Sequence, residues 1–348
     1  MQTLINDILQ LASQTDTPTY EARDFKSPLE VRWCAGCGDY SILTQVQKVL
    51  ADAHIPKENA VFISGIGCSS RFPYYMNTYG FHTIHGRATA IASGLKMARP
   101  DLSVWIITGD GDALSIGGNH LIHLLRRNIN VNILLFNNQI YGLTKGQYSP
   151  TSQQGAITKS SPHGSIEEPF HPAQLALGAG ASFVARTMDR DVQHLRSMLA
   201  EAMAHEGTSL VEIYQNCVVF NDGAFDQFSD KTTKAETTLF LQHGAPMLFG
   251  VSKDKAIIFD GLQPRIIAVE DALSRADLPL FDQTNTAMIS LLDTFSSQEG
   301  FPRPFGVLHK VSKPLYETVI QDRATPRGEY DDNAIYSLLQ GKEHWSVQ

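Results

Sequence analysis

The chain has 348 residues, of which 43% are hydrophobic and 18% are charged, and its formal net charge is -8 at pH 7. This composition is typical of a globular protein with one large α/β domain and an appendage, or with two small domains. No cluster of basic residues is visible, which argues against nucleic-acid binding. No run of about 18 apolar residues occurs, and residues 1–12 lack the pattern of a signal peptide. We therefore expect a cytoplasmic enzyme that binds neither nucleic acid nor a membrane.

Apolar spacing predicts alternating helices and strands through the first 215 residues. In chain order we expect a helix over 39–51, a strand over 60–63, a helix over 86–97, a strand over 103–108, a helix over 119–127, a strand over 131–136, a weaker strand over 181–185, a helix over 191–205 and a strand over 209–214. This alternation favours a mostly parallel sheet with helices on both faces. Residues 143–170 form a long polar loop, and loops of this kind are often functional.

The alternation fades after about residue 240, where clear elements become fewer and proline more frequent. We therefore divide the chain into an N-terminal leader (1–30), a ligand-binding α/β domain (31–240) and a C-terminal extension (241–348). We expect the extension to pack on the domain or on a partner.

Two loops at predicted strand ends carry residues suited to a diphosphate and a magnesium ion. They are Gly109-Asp110-Gly111-Asp112 and Asn137-Asn138-Gln139-Ile140-Tyr141-Gly142. Open α/β folds bind ligands at the carboxyl edge of the sheet, where both loops would lie. Asp110, the Asn138 side chain and the Ile140 carbonyl would supply the oxygen ligands that Mg²⁺ prefers, together with phosphate oxygens and water. Because the same residue types favour turns, two ordinary turns are the alternative.

Four cysteines form a second candidate site. Cys34 and Cys37 make a Cys-x-x-Cys pair before the first predicted helix, whereas Cys68 and Cys217 each follow a predicted strand. In a cytosolic chain such a pair more often binds metal or is redox-active than forms a structural disulfide. The spacing alone leaves three interpretations open, namely a [4Fe–4S] cluster, a structural zinc ion, or a reactive pair with two buried cysteines.

Five motifs occur in an order that resembles the beta subunits of 2-oxoacid:ferredoxin oxidoreductases. They are Trp33-Cys-Ala-Gly-Cys-Gly-Asp39, Gly65-Ile-Gly-Cys-Ser-Ser-Arg71, His82-Thr-Ile-His-Gly-Arg-Ala88, Gly109-Asp-Gly-Asp112 and Tyr141-Gly-Leu-Thr-Lys-Gly-Gln147. The match covers about residues 30–225, and the segment from Cys68 to Pro73 is most similar to the 2-oxoglutarate enzymes. The resemblance implies the diphosphate domain of a thiamine-diphosphate-binding fold. It also implies that all four cysteines ligate one [4Fe–4S] cluster near the cofactor.

The resemblance further implies which residues bind thiamine diphosphate and Mg²⁺. The Mg²⁺ ligands would be those given above, and the segment from His85 to Arg87 would face the diphosphate, with Gly86 opening a helix whose N-terminus favours anions. From the residues alone, His85 as a structural histidine and Arg87 as a surface cation fit equally well. The full set of implied cofactor-binding residues is Ile66, Gly67, Cys68, His85, Gly86, Arg87, Gly109, Asp110, Gly111, Asp112, Asn138, Ile140, Tyr141, Gly142, Leu143 and Thr144.

Arg71 and Lys145 are the candidates for substrate contact. A 2-oxoglutarate site must pair the distal carboxylate with a cation, ideally an arginine, and Arg71 lies close to Cys68 in sequence. Lys145 follows the magnesium segment, where it would touch the substrate or coenzyme A. A solvated arginine and an exposed loop lysine are the alternatives.

The resemblance predicts a subunit that oxidatively decarboxylates 2-oxoglutarate to succinyl-CoA and CO₂, with electrons passing through the cluster to ferredoxin, in a reaction that could also run as CO₂ fixation. One alternative is a pyruvate or broad 2-oxoacid enzyme, and another is a non-catalytic, zinc-stabilised subunit that binds a partner. A nicotinamide dehydrogenase is disfavoured because no Gly-x-Gly-x-x-Gly follows a strand.

Thiamine enzymes also need a glutamate from a pyrimidine-binding domain to activate the cofactor. No second complete β/α domain is visible after residue 240. We therefore expect the resembling enzymes' alpha subunit to supply that domain and its glutamate, in an obligate hetero-oligomer with the composition α₂β₂.

Overall fold

The computed structural model describes residues 19–273, 278–324, 332–342 and 345. The amphipathic segment 1–12 and most of the predicted leader lie outside the described residues. Within these ranges, each helix is too short or too polar to cross a membrane.

Among the described residues, eight strands form one sheet in which parallel pairing dominates. Side by side they are β2 (Tyr79–His82), β1 (Ala60–Ser64), β3 (Ser103–Gly109), β4 (Asn132–Asn137), β6 (Ser209–Tyr214), β5 (Phe183–Met188), β11 (Arg303–Lys310) and β7 (Thr238–Phe240). Every neighbouring pair is parallel except β11 with β5. The predicted α/β class with a mostly parallel sheet is confirmed.

Helices cover both faces of the sheet because successive residues of a strand point to opposite faces. In β3, Val104 and Ile106 enter the apolar cluster of one face, whereas Trp105 and Ile107 enter that of the other. The first face packs against α2 (Ala88–Ala98), α4 (Gly118–Arg127) and α5 (Pro172–Gly178). The second packs against α1 (Asp39–Asp52) and α6 (Val192–Met203). A short helix, α3 (Asp110–Leu114), begins where β3 ends.

The predicted elements lie within three residues of the observed ones, with one difference that concerns the site. The helix predicted to open at Gly86 begins at Ala88, because Gly86 has a φ of +66° and cannot belong to a right-handed helix. The edge strand β2 was not predicted. It is short and all four of its residues are exposed, so it lacks the apolar signal of a buried strand.

The C-terminal extension contributes to the main sheet and also forms a small sheet of its own. β11 lies between β5 and β7, while β8 (Leu248–Phe249), β9 (Lys255–Asp260) and β10 (Gln263–Ala268) pair antiparallel. The remaining helices are α7 (Asp226–Ser229), α8 (Lys234–Thr237), α9 (Val269–Leu273), α10 (Thr286–Phe295), α11 (Tyr316–Arg323) and α12 (Asp332–Gln340). Part of the extension thus packs on the α/β domain, since Ile289 and Leu292 of α10 enter the apolar cluster of the first face. The boundary at residue 240 stays a prediction.

Candidate functional site

The candidate site lies where four neighbouring parallel strands end. β1, β3, β4 and β6 are adjacent in the sheet. The segments that follow them begin at Gly65, Asp110, Asn138 and Gln215, of which Asp110 is the first residue of α3. The carboxyl ends of the four strands meet at one edge, so residues far apart in sequence come together there. Two adjoining cavities form at this edge.

The first cavity, which we call the strand-end cavity, has a volume of about 230 Å³. Its lining contains every predicted cofactor-binding residue except Gly86 and Arg87, which lie outside it. Ser69 and Phe136 also line it and were not predicted. The full lining is Ile66, Gly67, Cys68, Ser69, His85, Gly109, Asp110, Gly111, Asp112, Phe136, Asn138, Ile140, Tyr141, Gly142, Leu143 and Thr144.

Asp110 places a buried carboxylate in the wall of this cavity. Its side chain is 2% exposed, and Oδ2 accepts hydrogen bonds from the hydroxyls of Ser149 and Thr151, both at 2.5 Å. Burial raises the pKa of Asp110 above its usual value, although these two hydrogen bonds oppose the rise. A carboxylate that burial disfavours in this way is one that a bound cation would stabilise.

Both carboxylate oxygens of Asp112 accept hydrogen bonds from neighbouring segments of the chain. Its Oδ1 accepts from the backbone N–H of Gly86 at 2.7 Å, and its Oδ2 accepts from the Thr108 hydroxyl at 3.1 Å. A Cβ on Gly65 would lie 1.8 Å from Asp112 Oδ2, so only glycine fits there. Gly86 therefore supports the site through its backbone. The preceding residue, His85, lines the cavity.

Gly111 and Tyr141 make a second close contact. Tyr141 donates from its hydroxyl to the carbonyl of Gly111 at 2.9 Å, and a Cβ on Gly111 would lie 2.2 Å from the tyrosine ring. The ring thus packs directly on the glycine backbone. This contact holds the loop after β4 against the loop after β3.

The loop after β4 is held by side-chain amides. Asn138 Oδ1 accepts from the backbone N–H of Ile140 at 3.1 Å, and Asn138 Nδ2 donates to Gln215 Oε1 at 2.9 Å. The carbonyl of Asn138 accepts from Asn221 Nδ2 at 2.9 Å. These bonds bring Asn138 and Ile140, both predicted magnesium ligands, to the same part of the cavity wall.

The second cavity, which we call the cysteine cavity, also measures about 230 Å³ and contains all four cysteines in its lining. It shares four lining residues with the strand-end cavity, namely Cys68, Asn138, Gly142 and Leu143. A Cβ on Gly142 would lie 3.5 Å from the sulfur of Cys217 and 3.8 Å from that of Cys68. Among the described residues, no three His, Cys, Asp or Glu side chains stand close enough together to hold a single metal ion.

Tryptophan and glutamine side chains position the cysteine loops. Trp33 donates from Nε1 to the carbonyl of Cys68 at 2.7 Å, and Gln215 donates from Nε2 to the sulfur of Cys37 at 3.2 Å. Burial raises the pKa of the Cys68 thiol to about 11 and raises that of Cys37 further, with the nearby Asp39 adding to both increases. These two thiols are therefore protonated at neutral pH unless a bound metal displaces the proton.

The structure places Arg71 and Lys145 in the cysteine cavity and not in the strand-end cavity. Arg71 is half-buried, and Nη1 makes only a long hydrogen bond of 3.4 Å to the carbonyl of Arg32. No carboxylate of the described residues forms an ion pair with it. Lys145 is exposed and has a φ of +81°, which places it on a tight turn between Gly142 and Gly146.

The sequence interpretation missed the residues that support Asp110. Ser149 and Thr151 belong to the polar loop 143–170, which the sequence marks as a candidate functional segment without indicating which residues matter. Asn137, the first asparagine of the predicted pair, lies behind the cavity wall, where its Oδ1 is 2.9 Å from the Thr151 hydroxyl. The sequence signal that could have indicated them is the pair of hydroxyl residues, Ser149 and Thr151, on either side of Pro150.

Comparisons with known proteins identify the family of the chain. Residues 65–213 match the family described as thiamine pyrophosphate enzyme, C-terminal TPP binding domain. Over 340 residues the chain is 49% identical to the 2-oxoglutarate oxidoreductase subunit KorB of Mycobacterium tuberculosis, covering 96% of this chain and 90% of that protein. It is 45% identical over 185 residues to the 2-oxoglutarate synthase subunit KorB of Archaeoglobus fulgidus, covering 53% of this chain and 69% of that protein.

A solved structure is similar over nearly the whole chain. The 2-oxoglutarate:ferredoxin oxidoreductase from Magnetococcus marinus, with 2-oxoglutarate, coenzyme A and succinyl-CoA bound, matches with a TM-score of 0.73 and 33% identity, covering 92% of this chain and 96% of that one.

The α/β fold and the matched family together define a thiamine-diphosphate-binding protein. The chain belongs to the beta subunits of the 2-oxoacid:ferredoxin oxidoreductases, and the relatives described above are 2-oxoglutarate enzymes. The predicted family resemblance is confirmed.

Proposed function

We propose that the chain is the thiamine-diphosphate-binding subunit of an enzyme that converts 2-oxoglutarate and coenzyme A to succinyl-CoA and CO₂. The four cysteines would hold a [4Fe–4S] cluster, which would supply the route by which electrons reach ferredoxin. One observation carries this proposal: Cys68 lines both the strand-end cavity and the cysteine cavity. A cofactor in the first and a cluster in the second would be separated by little more than one side chain, which suits direct electron transfer.

Asp110, Asn138 and Ile140 would hold Mg²⁺, and the ion would in turn hold the diphosphate. The fit of these residues to Mg²⁺ rests on the buried Asp110 carboxylate. Burial raises its pKa by disfavouring the charged form, and a bound cation would stabilise that form. Gly109 lines the cavity beside this carboxylate without a side chain, so its backbone stays accessible. Thiamine diphosphate, once bound, supplies the electron sink for loss of CO₂ from the 2-oxoacid.

The four cysteines would ligate the [4Fe–4S] cluster. All four cysteines line one cavity, and among the described residues no three potential ligands meet at one point, which suits a cluster whose four irons each bind one thiolate better than it suits one zinc ion. Asp39, whose pKa burial raises to about 7, lines the same cavity.

Arg71 is our candidate for binding the distal carboxylate of 2-oxoglutarate. It lines the cysteine cavity, which shares Leu143 with the strand-end cavity. With no ion pair to a described carboxylate, its guanidinium is available to donate two hydrogen bonds to a ligand carboxylate. Lys145 lies on the same wall and is the candidate for contact with coenzyme A.

A partner alpha subunit would complete the site. No glutamate is among the described residues lining the strand-end cavity, and the aspartates there are hydrogen-bonded within this chain. The glutamate that activates thiamine diphosphate would therefore come from the alpha subunit in an α₂β₂ assembly. Exposed Cys34 marks the side of the cluster from which ferredoxin would accept electrons.

The test is to co-express the chain anaerobically with its alpha subunit and measure iron, sulfide, zinc and ferredoxin reduction. We expect about four irons and four sulfides per beta chain, with ferredoxin reduced when both 2-oxoglutarate and coenzyme A are added. Stoichiometric zinc in a colourless complex would contradict the electron-transfer role. A lone beta chain that decarboxylates 2-oxoglutarate would contradict the need for the alpha subunit.

Substrate choice is tested by Arg71→Leu, with Arg32→Leu as the matched control. Arg32 lines the same cavity but pairs with Glu30 at 3.0 Å. We expect Arg71→Leu to raise KM for 2-oxoglutarate more than KM for pyruvate, whereas Arg32→Leu should change neither. Equal losses with both substrates would remove the reason for preferring 2-oxoglutarate.

A further inference from the structure

A buried ion network connects the C-terminal extension with the α/β domain. Arg186 of β5 donates from Nε to Glu212 Oε2 at 2.8 Å and from Nη1 to Asp293 Oδ1 at 2.7 Å. All three side chains are at most 1% exposed. Arg186 Nη1 also donates to the carbonyl of Pro304 at 3.2 Å, at the start of β11. Because Asp293 and Pro304 both belong to the extension, the guanidinium joins two of its elements to the main sheet.

The network continues from Glu212 to the strand-end cavity. Asn137 donates from Nδ2 to Glu212 Oε1 at 2.8 Å. A carboxylate can only accept, so this bond sets the orientation of the Asn137 amide and turns Oδ1 towards Thr151. The Thr151 hydroxyl lies 2.9 Å from Asn137 Oδ1 and 2.5 Å from Asp110 Oδ2.

This arrangement determines which oxygen of Asp110 is available. The hydroxyls of Ser149 and Thr151 both bond to Oδ2, so neither of them occupies Oδ1. The single Thr151 hydroxyl proton is shared between Asp110 Oδ2 and Asn137 Oδ1, so its position depends on which atom Asn137 presents. The hydrogen bond from Asn137 Nδ2 to Glu212 fixes that atom as the oxygen. Replacing buried ion pairs by apolar residues often costs no stability, so stability alone does not require this network.

We propose that Arg186, Glu212 and Asp293 are positioning residues for the metal ligand Asp110, acting through Asn137 and Thr151. The C-terminal extension is thereby part of the support of the cofactor site. This inference rests on the proposed assignment of Asp110 as a magnesium ligand.

The first variants test the link next to Asp110. Thr151→Val removes the hydroxyl at nearly constant shape, whereas Thr151→Ser retains it. We expect Thr151→Val to raise the half-saturating Mg²⁺ concentration for thiamine diphosphate binding by about tenfold. Thr151→Ser should restore it to within about twofold of wild type. Thr208→Val is the matched control, since Thr208 has a buried hydroxyl that donates to Ile129 at 2.6 Å, away from both cavities.

The second variants test transmission from a distance. Glu212→Gln replaces an acceptor oxygen with a donor, which allows the Asn137 amide to turn over. Asp293→Asn removes a charge from the extension side and leaves an acceptor for Arg186. We expect both to raise the Mg²⁺ requirement by about threefold or more. A merely structural role would lower the melting temperature without changing this requirement, as we expect for Thr208→Val.

The measurement is calorimetric titration of thiamine diphosphate into the complete complex with the alpha subunit, stripped of cofactor and divalent metal, at graded Mg²⁺ or Ca²⁺. Mg²⁺ demands near-octahedral geometry and Ca²⁺ tolerates irregular geometry, so lost positioning should affect Mg²⁺ more. A changed Mg²⁺ requirement in Glu212→Gln and Asp293→Asn, with little change for Ca²⁺, supports the proposal. An unchanged requirement in both variants overturns it, even if Thr151→Val has an effect. If wild type binds the cofactor equally well without divalent metal, the metal assignment itself fails.

Discussion

The strand-end cavity and the cysteine cavity share a wall but are built differently. In the strand-end cavity, polar groups form hydrogen bonds within the chain; Asp112, for example, accepts hydrogen bonds from Gly86 and Thr108. The second is formed by loops, and burial keeps the thiols of Cys37 and Cys68 protonated. The first is therefore preorganised for its ligand, whereas the second must lose protons when a metal binds. Variants should separate the two, although they lie side by side.

The largest expected effect is loss of the cluster in Cys37→Ser. Cys37 lines the cysteine cavity but not the strand-end cavity, so thiamine diphosphate affinity should stay within about twofold of wild type while most iron and all ferredoxin reduction are lost. Iron analysis and cofactor titration of the same anaerobic complex measure both properties. If the variant retained four irons, Cys37 would not be a cluster ligand, and the proposed difference between the two cavities would be contradicted.

Asp110→Asn should have the converse effect. Loss of a metal-binding carboxylate should weaken thiamine diphosphate binding about 100-fold or more, while the iron content stays at the wild-type value. Cofactor titration at fixed Mg²⁺, with iron analysis alongside, provides the measurement. Simultaneous loss of iron would mean that the two cavities depend on each other.

Gly111→Ala should have a moderate effect that is confined to the strand-end cavity. The added Cβ would lie 2.2 Å from the Tyr141 ring and would displace it, so we expect cofactor affinity to fall about tenfold. Gly94→Ala is the matched control, because Gly94 lies on α2 with nothing within 4 Å of the added Cβ. That control should leave affinity unchanged and stabilise the helix by about 0.5–1 kcal/mol. Equal affinities in the two variants would show that the Tyr141 contact is unimportant.

The smallest effect concerns pH and lies outside both cavities. Burial lowers the pKa of His205 from 6.5 to about 4, and its Nε2 lies 2.8 Å from the Ser182 hydroxyl. The unfolded chain therefore binds a proton more readily, so this contribution to stability is complete above pH 6.5 and is lost as pH falls towards 4. We expect a loss of about 1–2 kcal/mol from this group. Urea unfolding at several pH values measures it, and His205→Gln should flatten the slope; an unchanged slope would assign the effect to other groups.

The amino-acid sequence by itself determined the parallel α/β architecture and the residues at the strand ends. Buried strands such as β3 and β4 are nearly continuous apolar runs, and Asp110 and Asn138 follow them directly. Such patterns are readable because strand and helix periodicity is set by local backbone geometry. The cysteine spacing, in contrast, is compatible with a cluster, with a zinc ion and with a reactive pair plus two buried cysteines, and only the family resemblance favours the cluster.

Only the tertiary structure decided which distant side chains meet. It placed Thr151 against Asp110, brought Gly86 to Asp112 before the helix begins, and joined Asp293 of the extension to Arg186 of the sheet. It also inserted β11 beside β5, although the alternation fades after residue 240. The physical reason is that such contacts depend on strand order and loop paths, which follow from burial of the whole chain and have no signature in local spacing.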